Sequence, residues 1–212
     1  MNTKIFCCLS LFLLLSGCAS FNSGDVVMSR PVLWEMLEDK TITPFSKINT
    51  TWINYPYKSS TDFIGEGSVM GGKKIKPVRV KAEDRKYLQE KVQDIFAEAG
   101  LYDAEKGTGT LNISLTSFGR WRYREIFSNF LTETPFIMIF PATLQVNYYL
   151  VAESSETAKA LKIEETAHNK TVFHVLIFPL YPLFSPAAKE RSLLKNMLWK
   201  TAADIYTATK KQ

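Results

Sequence analysis

Residues 82–100, AEDRKYLQEKVQDIFAEAG, and residues 110–116, TLNISLT, decide the fold. In the first stretch Leu88, Val92, Ile95, Phe96 and Ala99 recur at spacings of three and four, which gives one apolar helical face. Glu83 and Asp84 stand in its first turn, where the helix dipole favours negative charge. Gly100 is placed to stop it. In the second stretch Leu111, Ile113 and Leu115 alternate with Asn112, Ser114 and Thr116, the period of a half-buried strand. A helix followed by a strand, each with one apolar face, calls for a helix layer packed on a sheet.

Upstream, Ser46–Tyr57 holds the strand formers Ile48, Trp52, Ile53 and Tyr55. Residues 31–39, PVLWEMLED, suit one or two helical turns with Pro31 at the first position. Downstream, Leu144, Val146, Tyr148 and Leu150 mark a strand. Residues 160–168 read as its return strand, Asn169-Lys170 as a tight turn and Thr171–Phe178 as a third strand. Ser185-Pro186 is expected to cap and start a helix to about Ala208, with Leu194, Met197, Leu198, Ile205 and Tyr206 on its apolar side. The fold class expected is α+β: a two-layer domain, a mostly antiparallel sheet covered by two amphipathic helices.

The N-terminus has a different character. Lys4 precedes the apolar run Ile5–Leu15, too short for the roughly 20 residues that span a bilayer but suited to a secretory signal. Leu15-Ser16-Gly17-Cys18 follows. This resembles the bacterial lipoprotein lipobox at all four positions. The resemblance implies cleavage before Cys18 and acylation of that cysteine, with palmitate among its chains. Ala19 stands where an Asp would resemble an inner-membrane retention signal, which implies the periplasmic face of the outer membrane. The expected organisation is a signal peptide over 1–17, a polar lipidated tether over 18–30, and a single periplasmic domain over 31–212.

Composition limits the function classes. The chain is +5. Lys4 is the one charge among residues 1–17, so the mature domain is mildly basic. That suits anionic surfaces and is no nucleic-acid signature. Cys7 and Cys8 leave with the signal and Cys18 is lipidated, so disulfides and thiolate chemistry are not expected. Gly67 to Lys73 imitates a phosphate loop, but Lys74 stands where a Ser or Thr would bind magnesium, and Pro77 blocks the helix that would follow. His168 and His174, six residues apart on one strand, would lie about 20 Å apart. No G-x-S-x-G motif is present. No catalytic residue, cofactor or metal is expected, and the chain reads as a non-enzyme.

Two features suggest contact surfaces. Arg120-Trp121-Arg122-Tyr123-Arg124 alternates arginines with aromatics, so a strand would show three arginines on one face. This reads either as a contact for phosphate-bearing lipid or glycan or as a solvated face. Two apolar stretches fenced by prolines, 135–141 with Phe136 and Phe140, and 175–186 with Phe178, Tyr181 and Phe184, flank the expected hairpin. They should emerge at the same end of it, either as core under a helix or as an aromatic rim touching a membrane or partner. The expected function is an accessory or adaptor of an envelope complex, held to the membrane by its N-terminal lipid. The alternative is a lipid- or glycan-binding module.

Overall fold

The structure, a computed structural model, describes residues 18–24, 26–56, 76–120, 142–154, 161–173 and 186–211. The elements are β1 (Cys18–Gly24), α1 (Arg30–Glu38), β2 (Lys47–Pro56), β3 (Val78–Arg79), α2 (Ala82–Glu98), β4 (Thr110–Arg120), β5 (Ala142–Ser154), β6 (Leu161–Phe173) and α3 (Pro186–Lys210). The strands form one mixed sheet in the order β1-β6-β5-β4-β2-β3. The β2–β4 pair is parallel and the others are antiparallel. Parallel neighbours need a crossover, and α2 supplies it between β2 and β4. The α+β two-layer architecture is thus present, with α1 at the helical turns expected over 31–39 beside the two amphipathic helices.

Alternation of side chains fixes which face is covered. Leu111, Ile113, Leu115 and Ser117 of β4 are buried while Asn112, Ser114 and Phe118 are exposed. In β5, Leu144, Val146, Tyr148, Leu150 and Ala152 are buried. All of these buried residues but Ser117 and Leu144 meet Leu88, Val92, Ile95 and Phe96 of α2 and Leu193, Leu194, Met197, Leu198, Ile205 and Tyr206 of α3 in one core. Each such side chain contributes about 1.5–3 kcal/mol by leaving water. Thr201, Ala202 and Ala203 are also buried on α3, where small side chains permit close approach to the sheet. The opposite sheet face is open, with polar rows beside the exposed Phe21, Ile53 and Phe118. Asn49 pairs with Asn112 (2.9 Å) and Thr51 with Ser114 (3.2 Å) across β2 and β4.

Gly100 ends α2 as expected. At φ +72° it lets its own N–H reach the Ala97 carbonyl (3.0 Å) and the Leu101 N–H reach the Phe96 carbonyl (2.8 Å). Both orphan carbonyls are satisfied, and the buried pair Phe96 and Leu101 closes the motif.

The structure differs from the expected strands in two places. Asn169-Lys170 is no turn: β6 runs straight through it, and no non-glycine residue among those described takes a positive φ. A tight hairpin turn at those two residues would require one. Residues 18–24 are no tether: they form β1, paired along their whole length with β6. Their polar, small side chains serve the packing described next.

Candidate functional site

The sheet has one end at which several chain segments leave. Cys18 pairs with Phe173, and Phe173 also pairs with Ala142. β4 runs antiparallel to β5, so it finishes at this end with Arg120, and its parallel neighbour β2 finishes there with Pro56. The attachment points of both proline-fenced stretches, Ala142 and Phe173, therefore stand side by side next to Cys18. Trp121, Arg122, Tyr123, Arg124, Phe136, Phe140, Phe178, Tyr181 and Phe184 lie outside the described residues.

β1 is fastened by a buried polar cluster. The Asn169 Oδ1 accepts from Ser20 Oγ (2.6 Å) and Thr171 Oγ1 (3.3 Å), and Thr171 also donates to Ser20 (3.1 Å). The Asn169 amide donates to Asn22 Oδ1 (2.7 Å), and the Asn22 amide donates to the Lys189 carbonyl of α3 (2.8 Å). Ser20, Asn169 and Thr171 are all buried. Such a cluster tolerates one register, because a shift would leave several buried groups unpaired. On the open face Ser23 is hydrogen-bonded to His168, its cross-strand partner. Gly24 closes the strand at φ +117°, where a Cβ would lie 2.6 Å from the Ala167 Cα.

Arg120 is not an outward contact. Gly119, at φ +76°, is an extra residue in β4: Tyr55 pairs with Phe118 and Pro56 with Arg120. The resulting bulge turns Arg120 from the open face to the helix side. There its Nε donates to Glu190 Oε1 (2.6 Å), its Nη2 to Glu190 Oε2 (3.3 Å) and its Nη1 to Asp84 Oδ2 (2.7 Å). The guanidinium lies 4.7 Å from the Trp52 ring centroid. Burial opposes its charge, but Asp84 and Glu190 outweigh this and hold its pKa above the ordinary value. The Tyr148 hydroxyl donates to Glu190 Oε1 (2.8 Å), and burial, then Glu190, push its pKa up. Arg120 thereby joins the first turn of α2 and the N-terminal part of α3 to the sheet. The alternating Arg/aromatic pattern gave no sign of this, although Gly119 before Arg120 is a cue for a bulge.

A second charged cluster sits toward the other end. Glu165, 2% exposed, accepts from Lys200 Nζ (2.7 Å), which also reaches Asp204 (2.6 Å). Burial, then the Asp204 carboxyl, raise the Glu165 pKa to about 7. Lys200 offsets both carboxylates from within hydrogen-bond distance, so the cluster is a packed ion group rather than an open site. Among the described residues no group of three His, Cys, Asp or Glu side chains is placed to hold a metal ion. Among them, too, no helix is long and apolar enough to cross a membrane. Comparison with protein-family models, with curated proteins and with solved structures gave no match.

Proposed function

We propose that this chain is an envelope lipoprotein, acylated on Cys18, facing the periplasm from the outer membrane and serving as a non-enzymatic accessory or adaptor of a larger envelope assembly. The observation that carries the reading is the lipobox Leu15-Ser16-Gly17-Cys18, whose cysteine is also the first residue of β1. Arg120, Glu165, Asp84 and Glu190 are engaged in ion pairs that join helices to sheet. A specific observation favours a second reading, a glycan-binding module: the open sheet face carries amide rows and a stacked Tyr55–Phe118 pair, 4.9 Å between centroids. Aromatic faces beside amides suit sugar rings.

The two readings separate in a cross-linked pull-down of the tagged, acylated protein from envelopes in mild detergent, read by mass spectrometry of proteins, lipids and glycans. An adaptor retains a stoichiometric protein partner, and that partner is lost in Phe178→Ser with Phe184→Ser while the domain stays folded. Retention of a glycan without a protein partner refutes the adaptor reading in favour of the module.

A further inference from the structure

Cys18 is the first residue of a strand that is itself part of the sheet, so no free chain separates an anchor on Cys18 from the folded domain. The register continues to Gly24↔Ala167, and the cluster of Ser20, Asn22, Asn169 and Thr171 holds it. An acyl anchor at this position therefore fixes the whole end of the sheet near the lipid, not merely the chain terminus.

The distribution of charge agrees with that placement. The first turns of α2 lie at the Cys18 end, as the Asp84–Arg120 contact shows. Exposed cations gather in this half: Lys76, Arg79, Lys81 and Arg85 around the start of α2, and Lys170 on β6. Two nearby carboxylates, Asp84 and Glu190, are taken up by Arg120, and among the described residues around the start of α2 this leaves Glu83 to oppose them. At the far end Glu98, Asp103, Glu105 and Glu153 offset Lys47, Lys106 and Lys162. A basic surface beside a lipid anchor is complementary to anionic headgroups, and an anchor plus a basic patch holds far better than either alone. Phe21, three residues from Cys18 on the open face, is 46% exposed at the same end.

We propose that the Cys18 end of the sheet, with its cations, seats directly on an anionic phospholipid surface, so that the β5–β6 hairpin stands away from the membrane. This rests on the acylation of Cys18 put forward above. It names the surface the domain meets and the direction it points.

The sequence offers a clean test, because Cys18 is the sole cysteine from residue 18 onward. In the acylated mature protein, Thr143→Cys and Glu153→Cys each add one free thiol on exposed positions of β5. Ten residues of strand separate them by about 33 Å. Each is labelled with a fluorophore and reconstituted in phosphatidylethanolamine–phosphatidylglycerol vesicles containing a headgroup-linked quencher. The expected result is strong quenching at position 143 and none at position 153. Equal quenching at both, or none at either, in protein whose N-terminal peptide carries acyl chains, overturns the seating while leaving the anchor intact. Quenching at 143 that is unchanged on purely zwitterionic vesicles overturns the assignment to an anionic surface. An N-terminal peptide without acyl chains removes the anchor and this proposal with it.

Discussion

Replacing Arg120 with Met keeps most of the side-chain stem and removes the guanidinium. Three charge-assisted hydrogen bonds are lost, to Glu190 at 2.6 and 3.3 Å and to Asp84 at 2.7 Å. Asp84 and Glu190 are then left at the sheet–helix junction without their cation. Removing one partner of a fully buried ion pair costs about 3–5 kcal/mol. Here the side chains keep 21% exposure for Arg120, 20% for Glu190 and 32% for Asp84, so water screens part of the effect. An expectation of about 2–4 kcal/mol follows once that screening is allowed for. In a chain of this size each kcal/mol moves Tm by roughly 2–4 °C, so a fall of about 4–16 °C should appear in thermal unfolding followed by circular dichroism. Arg120→Lys should recover little of it, because an ammonium cannot fork between two carboxylates. Pairing Arg120→Met with Glu190→Gln should reveal a coupling of about 1–3 kcal/mol. A fall within about 0.5 kcal/mol for Arg120→Met, typical of a surface site, would refute the inward placement and restore Arg120 to the outer face.

Three further outcomes follow from the packing. Gly119→Ala should cost about 1–2 kcal/mol, since its φ of +76° strains any side chain and its Cβ would press to 3.2 Å on the Gln145 carbonyl; denaturant unfolding measures it. Asn169→Leu should remove the bonds that Ser20, Thr171 and Asn22 make to Asn169, and hydrogen exchange should show the β1 amides losing protection before those of β4 and β5. Glu165 holds its proton up to about pH 7 in the folded chain, whereas the unfolded chain releases it near the ordinary value of 4.5. Stability should therefore decline as pH rises from about 5 to 7, by at most about 3 kcal/mol, and Glu165→Gln should flatten that slope. A Gln variant with the slope of the parent would show that Lys200 keeps Glu165 ionised throughout.

Where apolar periodicity governed, the elements were legible in the residues alone. The α2 face built on Leu88, Val92, Ile95 and Phe96, its Gly100 stop, and the alternation of β4 and β5 are present in the structure. What escaped was structure made by polar groups. Ser20, Asn22 and Ser23 look like a solvated leader because nothing local distinguishes a strand joined through hydroxyls and amides to residues nearly 150 positions away. Asn169 looks like a turn residue for the same reason, yet it is the centre of that cluster. Arg120 was misplaced by one residue's worth of alternation, because strict period-two counting does not allow for a bulge at Gly119. The crossover through α2 that makes β2 and β4 parallel could not be read from either strand, since pairing partners are set by the whole sheet.

On the function proposed, Cys18 is both the chain's lipid anchor and the first residue of β1. The most direct test is mass spectrometry of the N-terminal peptide from protein purified out of envelopes, with Cys18→Ala as the comparison. The expected result is a mature chain beginning at Cys18 that carries acyl chains, and loss of both acylation and membrane retention in the variant. A mature chain that begins elsewhere, or an unmodified Cys18 in protein that still fractionates with the membrane, would contradict it.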